Sequence, residues 1–562
     1  MRLGGTLLAF SGAPSISMHT HLWFDLIIIA LYFVTVTYVG IKFGQREKSL
    51  EGFALGGRSI PWFAVLASII AAETSAATFL GTPGEGFELV NYTYLQIAIG
   101  TILGRIIVAF LFIKPFFDYN VYSIYEFLEV RFGPGTRTAA SALFLVTRVL
   151  ASGARLYVAA IVLAVAYALF TGVQPTAGQQ IVIYLTAIIG VTVLTAIYTS
   201  IGGIKAVVWT DCIQSSVMLG GALAAIAVLV CQIPGGVPTV VELVRHTHLP
   251  MITSGTINGA GIGQNVKNVL TSEYTIWAAL LGSTFTTLAT HGTDQDMVQR
   301  MLTAKDYKKS RLSLISSGLA DLPIGFIFLS IGILLHWFYQ LHVDPALPHK
   351  NTEVFAYFIL TRMPVGLRGL LVAGIFATSM GSLSAALNAL ATSFTRDFYQ
   401  RATRNSENDP KTLVAAKRFT YVFAGLMIAV ASGTSYFVIM HPESRIIPIV
   451  LGIFGYTYGS LLGVFLLGLL TKSRGSDFGN YLGMAAGAVV IVLLTGLPNQ
   501  ILELSNLPQI ELLKAIPIIS FPWRVMFGSL TTLAVAILFK RPTAPAPEAA
   551  AQAATLQQET CP

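Results

Sequence analysis

Three polar residues, Glu73, Thr74 and Ser75, sit at the middle of an apolar run that reads PWFAVLASIIAAETSAATFLGTPGEGF from Pro61 to Phe87. The run is long enough to cross a bilayer, which takes about 20 residues, yet Gly81, Pro83 and Gly84 break its second half. In hydrocarbon an unpaired backbone N–H or C=O finds no water, so a broken span is tolerated only where it is buried in protein or lines a cavity. A carboxylate at that depth is costly and marks a pathway. The chemistry to expect is capture of a cation or a polar solute by carbonyls, hydroxyls and a few charges.

Two further stretches carry the same signature. From Tyr274 the chain reads YTIWAALLGSTFTTLATHGTDQDMVQR, with Thr284, Thr286, Thr287 and Thr290 followed by His291, Gly292, Thr293 and Asp294. From Gly366 it reads GLRGLLVAGIFATSMGSLSAALNALATSF, which groups the hydroxyls of Thr378, Ser379, Ser382 and Ser384 around Gly381. Hard cations want oxygen ligands. Threonine-rich and small-residue helices also arise because they pack well and bond their hydroxyls back to the helix, so neither stretch is specific alone. His291, Asp294 and Asp296 are spaced by three and two, which keeps them off one helix face, and no metal triad is expected. Cys212, Cys231 and Cys561 have no metal or redox spacing, and His246 and His248 belong to a solvated loop. No nucleophile cluster suggests an enzyme.

The elements that position these residues are membrane helices. The 562 residues are 54% hydrophobic and 11% charged, and the mean hydropathy is +0.70, which excludes a soluble globule. Apolar runs place about thirteen spans, near 22–42, 61–83, 92–117, 138–170, 179–200, 206–231, 272–292, 312–340, 366–395, 413–439, 444–470, 477–497 and 516–539. The expected class is an all-α integral membrane protein with one domain over 22–540, a short extension at 1–21 and a disordered Ala/Pro/Gln-rich tail at 541–562. Met18 directly precedes the first span and is an alternative start to Met1.

With the N-terminus outside, the inner loops hold 23 Lys and Arg and the outer ones nine, while Arg105, Arg148 and Arg155 fall within spans. That bias fits the positive-inside rule and explains the net charge of +8 without a nucleic-acid partner. If the broken span at 61–83 opens a unit of five, the span at 272–292 opens the next, and an odd unit must repeat upside down. The expected core is therefore a 5+5 inverted repeat, about 61–231 and 272–470, with one leading and two trailing helices. Corresponding broken helices in inverted halves point to the midplane site of a secondary transporter.

The segments AAETSAATFLGTPGEGF, IGGIKAVVWTDCIQ (201–214), GTDQDMVQR (292–300) and GLLVAGIFATSMGSLSAALNALATSFTRDFY (369–399), in that order and spacing, resemble the sodium:solute symporter family over roughly residues 22–475. The resemblance implies the leucine-transporter-like inverted-repeat fold, with Na+ as coupling ion and no other cofactor. It implies a sodium site built from backbone carbonyls of Ala71 and Thr74 together with Thr378, Gly381 and Ser382. The family often has a hydroxyl residue where Gly381 stands. A second sodium in some members uses the acid of the WTD motif and a serine pair; here these positions are Asp211, Ser384 and Ala385.

On the solute side the chain departs from the sugar-transporting members. Ala77 and Thr78 replace a Glu-Gln pair, Thr287 an Asn, Asp321 a Lys and Leu451 a Gln. The solute wall expected here is Glu73, Thr78, Gln96, Arg155, Thr287, Thr290, His291, Asp321 and Tyr456. Arg148 and Arg155 lie two turns apart on one helix face and could hold a carboxylate. Alternatively, the three intramembrane arginines could neutralise Glu73, Asp211 and Asp321.

The implied function is sodium-coupled uptake of a small polar solute across the cell inner membrane by a monomer or weak oligomer. Sugars or polyols, monocarboxylates and amino acids all remain open as solutes. Proton coupling through Glu73 or Asp211 and a transporter-like sensor are the competing readings. One sodium moving through ~100 mV releases about 2.3 kcal/mol, and a tenfold gradient adds about 1.4 kcal/mol. That sustains several hundredfold accumulation of a neutral solute. A reporter fused to the N-terminus should lie outside the cytoplasm; a cytoplasmic signal would reverse the orientation.

Overall fold

A computed structural model describes residues 22–44, 49–406, 409–441, 446–504, 508–514 and 516–540. The extension expected at 1–21 and the tail at 541–562 lie outside these. Regular structure among the described residues is helical, with two isolated bridges, Ile60 to Ala304 and Arg474 to Lys540.

Among the described residues, eight helices are long and apolar enough to cross a membrane, and the bent pair Trp62–Glu73 and Ala76–Leu89 makes a ninth. The thirteen expected stretches exceed this number for three reasons. Ala177–Gln232 is 56 residues long, about 84 Å at 1.5 Å per residue, far more than one crossing. It breaks at Gly203, whose φ of 54° and ψ of −150° are not helical, so it serves both 179–200 and 206–231. The stretch at 272–292 becomes a π-helical turn, Ala278–Ser283, and the short helix Thr284–Gly292. The stretches at 444–470 and 516–539 fall on Ile446–Leu470 and Phe521–Ala536.

Gly203 is required by both conformation and space. Its φ belongs to the region open to glycine, and a Cβ there would lie 2.5 Å from the Phe53 carbonyl oxygen. The break thus seats the helix Leu50–Leu55 against the long helix.

The centre of the bundle is Leu367–Phe394, in which every residue from Leu371 to Ser393 is buried. Its Ala, Gly and Ser positions let neighbours approach, the usual means of helix association without a hydrophobic drive from water. It packs against Ala177–Gln232, Trp62–Glu73 and Pro134–Leu156. Asp25, buried on the leading helix Leu22–Gly44, anchors its start by bonding Arg368 at 2.7 Å and the Gly366 and Gly369 N–H groups.

Gly203→Val should destabilise the protein by at least about 2 kcal/mol, from strained backbone plus the clash. Gly220→Ala, where a Cβ meets nothing within 4 Å, is the control. Thermal unfolding of the detergent-purified protein reads the difference.

Candidate functional site

The first broken helix ends at Glu73 and resumes at Ala76, bent by 63°. A continuous helix would pass the Ser75 N–H to the Ala71 carbonyl; here it goes to the Glu73 carbonyl at 3.0 Å. The Ala71 oxygen is released by that detour. A Cβ built on Gly381 would stand 3.4 Å from this oxygen, 3.3 Å from Asp211 Oδ1 and 2.7 Å from Gln214 Oε1. Three oxygens from two neighbouring helices therefore meet where Gly381, on a third, carries no side chain. Asp211 Oδ1 and both polar atoms of the Gln214 amide are buried without a hydrogen bond, with the Tyr32 and Tyr198 phenols beside that amide.

The expected hydroxyls are buried on the same helix as Gly381. Thr378 donates to the Ile375 carbonyl at 2.8 Å, and Ser382 to the Thr378 and Ser379 carbonyls at 3.2 Å. Ser384 donates to the Gly381 carbonyl at 3.1 Å. Their oxygens keep lone pairs free to face a cation.

From Asp211 a chain of buried charges runs to a cavity. Ser68 donates to Asp211 Oδ2 at 2.5 Å, and Arg300 reaches the same oxygen at 3.3 Å. Arg300 also pairs with Asp296, which pairs with Arg148. Arg148 in turn bonds Asp294 at 2.8 Å, and Asp294 accepts from the Tyr458 hydroxyl. The second broken helix explains the acids: after Gly292 the chain leaves helical geometry, and Asp294 caps Gln295–Leu302 by accepting the Asp296 N–H at 2.9 Å. Arg148, Asp294, Asp296 and Arg300 thus neutralise one another, and the two acids serve as structural partners rather than metal ligands.

The cavity holds about 200 Å³ and is lined by Glu73, Arg155, Thr287, Thr290 and His291, with Tyr94, Phe454, Phe521, Pro522 and Val525 among the apolar wall. Arg148 and Asp294 line it too; Arg155 makes no ion pair among the described residues, although Asp294 acts on it across the cavity. Its guanidinium stacks on the Phe454 ring at 4.7 Å, and its Nε is buried without a bond. Arg105 pairs with Glu73 at 2.5 Å and Asp321 at 2.7 Å and bonds Ser317 at 2.7 Å. His291 Nε2 lies 2.7 Å from Glu73 Oε1, while its Nδ1 is 2.9 Å from the Thr290 hydroxyl.

The expected solute residues do not form one wall. Thr78 and Asp321 line a second cavity of about 220 Å³, which shares Glu73, Tyr94, Ile97 and Thr101 with the first. Gln96 lines neither; buried, it bonds the Thr93 and Tyr274 carbonyls and the Thr253 N–H, tying a helix start to a loop. Tyr456 also lines neither and meets Arg524 at 5.9 Å. Arg105 was expected only as a neutralising partner of the buried acids, and it pairs with Glu73 and Asp321; Gln214 and the trailing-helix residues Phe521 and Val525 were not singled out, and polarity inside a span was the one signal for Gln214.

Broken helices meeting beside a buried, polar-lined cavity define a secondary transporter. The chain belongs to the sodium:solute symporter family, whose profile matches residues 53–487. It is 28% identical over 473 residues to the sodium/sialic acid symporter NanT of Aliivibrio fischeri, covering 83% of this chain and 86% of that one. It is 26% identical over 496 residues to the human sodium-coupled monocarboxylate transporter 1, covering 86% and 74%. A solved Na+-coupled sialic acid symporter in a substrate-bound outward-open state matches with a TM-score of 0.73 at 24% identity, covering 92% of this chain and 97% of that one, and shows the shared fold. The protein is a multi-pass sodium-coupled symporter of small organic solutes, not an enzyme.

Arg105→Met should cost about 3–5 kcal/mol, because two carboxylates lose their shared counter-charge. Arg155→Met, with no ion pair to break, should unfold near the wild-type temperature while transport falls sharply. Comparable losses of stability would place Arg155 among the structural pairs.

Proposed function

We propose that this protein drives a small carboxylate-bearing solute into the cell with sodium, by alternating access, in the plasma membrane. The observation that carries the ion half is the meeting of the Ala71, Asp211 and Gln214 oxygens at Gly381. A side-chain amide supplies there the oxygen that a hydroxyl residue in place of Gly381 would have given. Sodium held between Ala71, Thr74, Gln214 and the Thr378–Ser382 face, close to Asp211, draws the broken helix onto the central helix. Ser384 and Asp211 belong to the same buried wall, so a second ion would share it.

The solute half rests on Arg155, a guanidinium that makes no ion pair among the described residues and opens onto the cavity. Planar, always charged and already ordered on an aromatic face, it suits bidentate capture of a carboxylate. Sialic acid and monocarboxylates, the solutes named for the relatives above, both carry that group. Thr287, Thr290 and His291 supply polar contacts beside it, and Thr78 and Asp321 those of the adjoining cavity.

The test is uptake by the purified chain in liposomes under an inward sodium gradient. Carboxylates should accumulate with sodium and fail to do so when choline replaces it at fixed pH. Uptake that survives in choline would mean proton coupling. Gln214→Ala and Ser382→Ala should each raise the sodium needed for half-maximal uptake about tenfold, the loss of roughly one cation–oxygen contact of 1.4 kcal/mol. An unchanged sodium dependence removes that residue from the site.

A further inference from the structure

A third cavity shares no lining residue with the two described above. It holds about 550 Å³, inside the range of small-molecule sites, about 300–1,000 Å³. One wall is the end of the helix Ile161–Thr171 and the turn into Ala177–Gln232, with Val165, Leu169 and Pro175. The facing wall is the loop after Tyr307–Leu341 and the start of the short helix Asn351–Arg362, with Leu347, Lys350, Glu353 and Tyr357. That short helix also packs on Ala76–Leu89, the second half of the first broken span. Phe355 stacks on Phe79 at 5.6 Å, and Asn351 donates to Glu88 at 2.7 Å. The cavity therefore separates Ile161–Thr171 from a helix that is bound to the broken span.

Glu353 is the unspent group in this wall. Among the described residues its carboxylate makes no hydrogen bond or ion pair. Burial raises its pKa above the usual carboxylate range, and Lys350 opposes that across space without bonding it. Tyr184 lies near Glu353, but its hydroxyl is already bonded by Gln180 at 3.0 Å. The Tyr357 hydroxyl is likewise spent, on Asp344 at 2.9 Å, so this residue gives the cavity its ring. A carboxylate partly out of water and without donors is costly. A neutral apolar occupant leaves it so, and an anion adds repulsion. An ammonium brings both N–H donors and the opposite charge, and it suits an aromatic ring beside it. An apolar body behind the ammonium covers Val165, Leu169 and Leu347.

We propose that this cavity is a binding site for a small organic amine, its ammonium on Glu353 and its apolar body between Leu169 and Leu347. The site is separate from the ion and solute sites proposed above and does not depend on them. An occupant braces Asn351–Arg362 against Ile161–Thr171. Because the short helix also grips the broken span, the occupant restrains the movement of that span which alternating access requires. The amine is a brake on transport and not its cargo.

The experiment pairs two probes that differ only in the amine. The full chain in lipid nanodiscs is mixed with tryptamine or with indole-3-ethanol, and amide hydrogen exchange is followed by mass spectrometry. Tryptamine should slow exchange over 164–180 and 345–362 and leave 283–294, beside the central cavity, unchanged. Indole-3-ethanol should bind about tenfold more weakly, for want of the charge-assisted contact. Glu353→Gln should erase that difference. Lys350→Gln removes the competing cation and should tighten tryptamine binding, a gain that a purely structural role of Glu353 does not give. Ala168→Trp, which fills the cavity, should abolish the protection by either probe. Protection confined to 283–294 would assign the amine to the central cavity and overturn the site, as would equal affinity for the alcohol or no protection at all. Unchanged exchange over 354–360 with tryptamine bound would overturn the brake. The wild-type comparison decides the matter even if the Glu353 variant does not fold.

Discussion

Arg300 has no access to water, and the rest of the site is organised by what it must touch. A buried guanidinium is tolerable only with carboxylates around it, so it pulls Asp211 from one helix and holds Asp296 at the second break. Through Asp296 it reaches Arg148 and so the cavity. The wall around Gly381 and the wall of the cavity are joined by ion pairs of this kind rather than by apolar packing alone. Such pairs have directional geometry, so a shift of the Gln295–Leu302 helix by a fraction of an ångström is felt at Asp211. That is a physical basis for one ligand sensing the other.

Much of the fold was legible because membrane helices announce themselves by length and composition. The break at Thr74–Ser75 was also legible, since an acid and two hydroxyls inside an apolar run are tolerable only where the backbone opens beside a polar space. The number of helices was harder. Gly203 sits between two expected spans, and nothing in its neighbours tells whether the backbone turns out or runs on with a single kink. The structure breaks the helix there, at the non-helical Gly203, and resumes it at once.

The site was less legible than the fold, and the reason is distance along the chain. Arg105 meets Asp321 across 216 residues and Ser317 across 212, and no local spacing encodes that. Gln214 looked like one more polar residue after the WTD motif until Gly381 proved to leave a space beside it. Gln96 illustrates the converse: a polar residue inside a span can be spent entirely on the backbone of neighbouring segments. Arg148 and Arg155 share a face, a residue type and a cavity, yet partners on other helices engage the first in ion pairs and leave the second stacked on Phe454.

Phe521, Pro522 and Val525, from the helix after the repeats, form part of the cavity wall. An inverted repeat would ideally let the two halves exchange conformations, so that the forms open to either side mirror each other. A wall with no counterpart in the other half forbids that mirror. The surfaces that meet the solute on entry and on release need not match, so the affinities at the two faces are free to differ, while the direction of net flow is left to the gradients.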